Sequence, residues 1–155
     1  MSFVQKRYEY DFPRPAVSVD VVVLRASNGG NEILLIQRGR EPFTGWWALP
    51  GGFLNMEETL EEAARRELHE ETGCVVDRLE QIGAFSAVNR DPRGRVISVG
   101  FLAEFDGAQV GEVAAGDDAA CVEWFSIDRL PTLAFDHDQI VRRALVVRAN
   151  RRPLE

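Results

Sequence analysis

Three glutamates, Glu67, Glu70 and Glu71, fall within five residues on a segment patterned as a helix. A helix turns about 100° per residue, so apolar residues at i, i+3, i+4 and i+7 share one face. Leu60, Ala63 and Ala64 begin such a face, and its continuation lands on 67, 70 and 71, with Leu68 at the edge. Glu61, Glu62, Arg65, Arg66 and His69 fall on the other side, where a solvated face is expected. Acidic runs on helices are usually hydrated surface. Here the phase argues otherwise, because carboxylates on a core-facing stripe repel and lose hydration unless they protonate or a cation neutralises them. Hard oxygen ligands suit Mg²⁺ or Mn²⁺, ions that also keep waters and bind substrate phosphates. The pattern predicts a divalent-metal platform.

The spacing around these acids resembles the Nudix box, G-x5-E-x7-R-E-U-x-E-E-x-G-U, where U is a bulky aliphatic residue. Gly52, Glu58, Arg66, Glu67, Leu68, Glu70, Glu71 and Gly73 stand at its positions. The last position alone departs, holding Cys74, a small buried hydrophobe that can keep the packing role. The resemblance implies an α/β/α sandwich around a mixed β-sheet. It also implies metal-dependent hydrolysis of a nucleoside diphosphate linked to another moiety. On that pattern Glu67, Glu70 and Glu71 carry the metals, with the carbonyl of Gly52 as a further ligand and Glu58 acting through the same network. Arg66, read as pointing off the carboxylate face, is expected to orient the acids by ion pairing.

Segments outside the box resemble ADP-ribose pyrophosphatases: 13–24 (PRPAVSVDVVVL), 37–53 (QRGREPFTGWWALPGGF), 89–99 (NRDPRGRVISV) and 135–140 (FDHDQI). This implies ADP-ribose as substrate, with AMP and ribose 5-phosphate as products. The same box would serve a sanitiser of oxidised nucleoside triphosphates. A non-catalytic sensor is the third reading, since related ADP-ribose-binding domains occur in repressors of NAD biosynthesis.

The rest of the chain must position this helix. Alternating valines over 17–25 predict a strand buried on both faces, followed by a turn at 27–31 and a second strand at 32–38. Further strands are expected at 75–86, with Gly83 a bulge, and at 95–105 and 121–125, before a helix over 139–149 capped by Asp136 or Asp138. His137 reads as a capping or packing residue. The loop carrying Arg90, Arg93 and Arg95 could hold phosphate oxygens, since the planar guanidinium fork matches them. Trp47 and Phe53 are candidate stacking surfaces for a base. The acidic loop 106–120 offers Asp118 as a further metal-binding or water-deprotonating carboxylate, with Asp117 and Glu112 behind it; the general base is left open between it and the box acids.

With 155 residues, one domain is expected, with an extended segment over 1–16 and a tail over 150–155. The aromatics of that segment either pack on their own domain or cross to a second copy in a homodimer. A net charge of −7 argues against nucleic acid as the main partner but not against a small nucleotide. Two cysteines make no disulfide framework, and no apolar run is long enough for a membrane, so a cytoplasmic protein is expected.

Overall fold

In a computed structural model, which describes residues 7–105 and 119–151, seven strands and two helices form a three-layer arrangement. The strands are β1 (Ala16–Ser27), β2 (Gly30–Arg38), β3 (Trp47–Ala48), β4 (Gly51–Phe53), β5 (Glu80–Phe85), β6 (Val96–Phe105) and β7 (Ala119–Ser126). The helices are α1 (Leu60–Thr72) and α2 (His137–Ala149). The sheet runs β3-β2-β1-β6-β5, with β4 also paired to β1 and β7 to β2. It is mixed: β1 and β6 run parallel, and the other pairs are antiparallel.

Alternation in β1 divides the core in two. Val19, Val21 and Val23 pack with Ala63, Ala64 and Leu68 of α1, while Val22 and Leu24 pack with Ile140, Val141 and Ala144 of α2. Side chains of a strand point alternately to opposite faces, so a strand apolar at both parities needs a helix on each side. The expected α/β/α sandwich around a mixed sheet is the fold. No described helix is long and apolar enough to cross a membrane.

Two boundaries differ from the sequence reading. The strand expected over 75–86 starts only at Glu80, and Val75 is exposed. Its pairing with β6 slips at Gly83, which takes a left-handed φ of 136°, so the bulge is where the glycine predicted it. Helix α2 begins at His137, two residues early, and the side chain of Asp136 does not cap it. That carboxylate is engaged elsewhere, by Arg90.

Candidate active site

Helix α1 starts at a capping box: Thr59 accepts from the Glu62 amide, and the Glu62 carboxylate accepts from the Thr59 amide at 2.7 Å. It ends at Gly73, whose left-handed φ of 73° lets its amide bond back to the carbonyl of His69. Both ends fix the rotation of the helix against β1 and β4. The buried line runs through Ala63, Ala64, Leu68 and Thr72. This corrects the phase: the core stripe continues through Leu68, and the glutamates flank it. Glu67 and Glu71, one turn apart, lie half-buried beside the glycine pair, and Glu70 lies at the exposed rim with its side chain 57% exposed.

Gly51 and Gly52 are required by close approach. A Cβ on Gly51 would collide with the backbone carbonyl of Val19, and one on Gly52 would sit 2.5 Å from the Glu67 carboxylate. The Gly51 amide donates to Oε2 of Glu71 at 2.9 Å. Burial pushes the Glu71 carboxyl up from its ordinary value near 4.5 to about 8, and burial also raises that of Glu67 against the opposing pull of Arg66. Two desolvated acids side by side favour a cation between them or a proton on one.

Arg66 is where the sequence reading most needs correction. Its side chain turns onto the acids. It donates to both oxygens of Glu58 (2.9 and 2.6 Å), to Glu67 (2.7 Å), to Glu70 (3.2 Å) and to the carbonyl of Phe53 (3.1 Å). The ion-pairing role assigned to it stands, but the direction of its side chain does not. These bonds, with the Asn55 amide, hold the Glu58 carboxyl down at about 2 and raise the Arg66 guanidinium above its ordinary value. Arg65 is also not a solvated residue, since it donates to the carbonyls of Val76 and Asp77 beyond the helix end.

The cleft over these acids has a volume of about 420 Å³ and is lined by Gly52, Glu67 and Glu71 together with Arg38 and Arg93. Arg38 was not singled out from the sequence, where it reads only as the polar end of β2. Burial and the nearby charge of Arg93 lower its pKa, so two guanidiniums converge on one space. Arg93 is held by the Asp91 carboxylate and lies over the rings of Phe53 (4.9 Å) and Phe135 (5.5 Å). A smaller cavity of about 90 Å³ continues from this cleft between Phe53, Phe135 and His137.

Other expected residues fall elsewhere. Arg90 is buried, its side chain 3% exposed, and it bonds both oxygens of Asp136 at 3.0 and 2.6 Å. It anchors the loop that presents Arg93 and is not a free phosphate ligand. Arg95 donates to the carbonyls of Ser86 and Ala87, outside the cleft. Trp47 packs edge-on against Phe125 at 4.7 Å in the α2-side core, so it is no stacking surface, whereas Phe53 lines the cleft. Asp118, Asp117 and Glu112 lie outside the described residues.

The NUDIX domain model matches residues 14–144. The chain belongs to the NUDIX domain family. It is 45% identical over 137 residues to an ADP-ribose pyrophosphatase of Methanocaldococcus jannaschii, covering 88% of this chain and 76% of that one. It is 32% identical over 147 residues to the ADPR responsive transcriptional repressor NtrR of Acinetobacter baylyi, covering 92% of this chain but only 58% of the repressor. Among solved structures, the NUDIX domain of Shewanella oneidensis NrtR complexed with ADP ribose superposes with a TM-score of 0.82 at 30% identity, covering 89% of this chain and 93% of that domain. By family and relatives, the chain is a Nudix pyrophosphohydrolase.

The family implies a divalent metal, and the donor chemistry here fits one. Glu67 and Glu71 offer desolvated hard-oxygen donors, and only a glycine at 52 lets the backbone lie so close to the Glu67 carboxylate. Among the described residues, no three acids already converge as a ready-made ligand set. Arg66 provides the positive charge between Glu58, Glu67 and Glu70.

Proposed function

We propose that this protein hydrolyses ADP-ribose to AMP and ribose 5-phosphate with Mg²⁺ or Mn²⁺. The observation that carries the reading is a single cleft lined both by the acids Glu67 and Glu71 and by the cations Arg38 and Arg93. Glu67, Glu70, Glu71 and the carbonyl of Gly52 would hold the metal, with Glu58 holding Arg66 among them. When bound, the metal would neutralise phosphate oxygens and lower the pKa of a water. The chain's own groups then divide the work. Arg38 and Arg93 face the pyrophosphate oxygens, Arg66 fixes the acids by ion pairing, and Phe53 walls the side towards the smaller cavity. The general base that takes a proton from that water is left open among the box acids and Asp118. ADP-ribose is preferred over other nucleotides because the archaeal relative bears that activity at 45% identity.

The deciding experiment is phosphate release, after phosphatase coupling, from ADP-ribose, ADP-glucose, NADH, diadenosine polyphosphates and 8-oxo-dGTP with each metal. Preference for ADP-ribose is expected. Preference for 8-oxo-dGTP would overturn the substrate and keep the pyrophosphate chemistry. Binding of ADP-ribose without turnover of any compound would favour the sensor, the reading that the repressor relative supports.

A further inference from the structure

One buried titratable group is used neither by the carboxylate cleft nor by the core. His137, the first residue of α2, is 4% exposed and reaches 88 residues back along the chain. The amide of Leu49 donates to its Nδ1 at 3.0 Å, and its Nε2 lies 3.4 Å from Oδ1 of the buried Asp20. A ring nitrogen that accepts from an N–H carries no proton, so the neutral tautomer has its hydrogen on Nε2, facing Asp20. Burial lowers the histidine pKa, which keeps Nδ1 available as an acceptor. Ser98 donates to the other Asp20 oxygen, and Arg90 sits 3.9 Å from it, so the aspartate is fixed as well.

The turn that His137 grips is the one that builds the cleft. Its residues are pinned one by one from different elements: the carbonyl of Trp47 by the Ala134 amide at 2.8 Å, the amide of Leu49 by His137, and the carbonyl of Pro50 by Val21 at 2.8 Å. The next amide, of Gly51, is the one that Glu71 accepts, and Gly52 follows against Glu67. A side chain that merely filled space here would need no acceptor at the Nδ1 position.

We propose that His137 is a positioning residue for the cleft, holding the Leu49 amide through Nδ1 and thereby setting where Gly51 and Gly52 meet Glu71 and Glu67. The reach is indirect: His137 lines the smaller cavity beside Arg38 and Arg93, but its hydrogen bond goes to Leu49, and it acts on Gly51 and Gly52 through three residues of backbone. Displacements on the scale of an ångström at a reacting centre are enough to cost a large factor in rate.

The test compares His137→Asn, His137→Gln and His137→Phe. The Asn side-chain oxygen can occupy the Nδ1 position and accept from Leu49; the Gln amide reaches the Nε2 position and cannot; Phe has no acceptor. Two readouts are taken on the full chain: the proton shifts of the Leu49 and Gly51 amides by NMR without metal, and kcat and KM with Mg²⁺. In the Gln and Phe variants both amide shifts are expected to move together, and kcat to fall about 10- to 100-fold with KM little changed, the usual scale for losing a group that orients a ligand. The Asn variant should stay close to wild type in both. The proposal is overturned if Asn is as damaged as Gln, if the Leu49 shift moves while Gly51 stays, or if a folded Phe variant keeps wild-type shifts and kcat. Should the Phe variant fail to fold, the Asn and Gln pair still decides. The activity arm rests on the hydrolase reading; a wild type that turns over no nucleotide would count against that reading, and the amide shifts alone would then decide the role of His137.

Discussion

Two clusters of acids and arginines in this molecule are opposites. On the α1 side, Glu58, Glu67 and Glu70 share Arg66 at a surface open to the cleft. On the α2 side, Asp20 and Asp136 share Arg90 in a buried, fully paired cluster at the wall of the smaller cavity, where Ser98 and His137 supply the remaining partners. Beside the first cluster, burial pushes the Glu71 carboxyl up to about 8, so without a metal it holds a proton near neutral pH. In the second, among the described residues, no buried side-chain nitrogen or oxygen lacks a hydrogen-bond partner. An open, partly discharged cluster can exchange its counter-charge for a metal and a substrate, whereas a closed one can only hold geometry. The contrast teaches that the same residue types do chemistry or architecture according to whether water and ligands reach them.

Four measurements would break or sharpen that contrast. Glu71→Gln or Glu70→Gln should lower kcat by roughly two to three orders of magnitude, the scale of losing one electrostatic contact to developing charge, while the fold stays intact. At position 71 the glutamine oxygen can still accept from Gly51, so only the charge is lost. A folded variant that kept most of its activity at saturating Mg²⁺ would refute the metal role of that acid. Asp136→Ala strands a buried guanidinium and should cost about 3 kcal/mol of stability in denaturant titration, with Arg90→Ala and the double variant completing a cycle that shows strong coupling.

The third concerns pH. The Glu71 carboxyl titrates near 4.5 in an unfolded chain and at about 8 in the folded, metal-free one. Between those values the folded state holds a proton that the unfolded state has released, so stability falls as pH rises through that window and levels off above it. Thermal melts in EDTA should show this slope, of at most about 1.4 kcal/mol per pH unit, and Glu71→Gln should remove it. The smallest effect is expected of Arg66→Gln, which should cost about 1 kcal/mol without metal, because its ion pairs are partly exposed, and less once Mg²⁺ replaces the lost charge. A larger loss that Mg²⁺ failed to reduce would make Arg66 architectural after all.

The open cluster was legible in the sequence and the closed one was not. Glu67 and Glu71 are one helical turn apart, so periodicity brings them together before any tertiary structure is known, and β1 announced its two-sided burial through its valines. Arg66 shows the limit of that reasoning. Helical phase locates a Cα, but a long guanidinium stem can swing across to the neighbouring face, as it does here to reach Glu58 and Phe53. The buried cluster joins residues separated by 46 positions in one bond and 78 in another, so no local spacing could reveal it. One signal was present: Asp20 interrupts a run of valines in a strand buried on both sides. Arg90, Arg93 and Arg95 looked alike in sequence and took three different roles, because their partners come from α2, Asp91 and the backbone of residues 86 and 87.

The parallel pairing of β1 with β6 carries one more consequence. Every partner in that ladder, from Ala16 with Val96 to Arg25 with Phe105, lies 80 positions further along. At ribosomal speeds of roughly 5–20 residues per second, β1 waits about 4–16 s for its neighbour to be made. Helix α1, with both ends capped locally, and the β1–β2 hairpin can form in that interval, but the sheet that supports them cannot close. The middle of the molecule is thus assembled late, and contacts of such long sequence range predict slow refolding for a chain of this size.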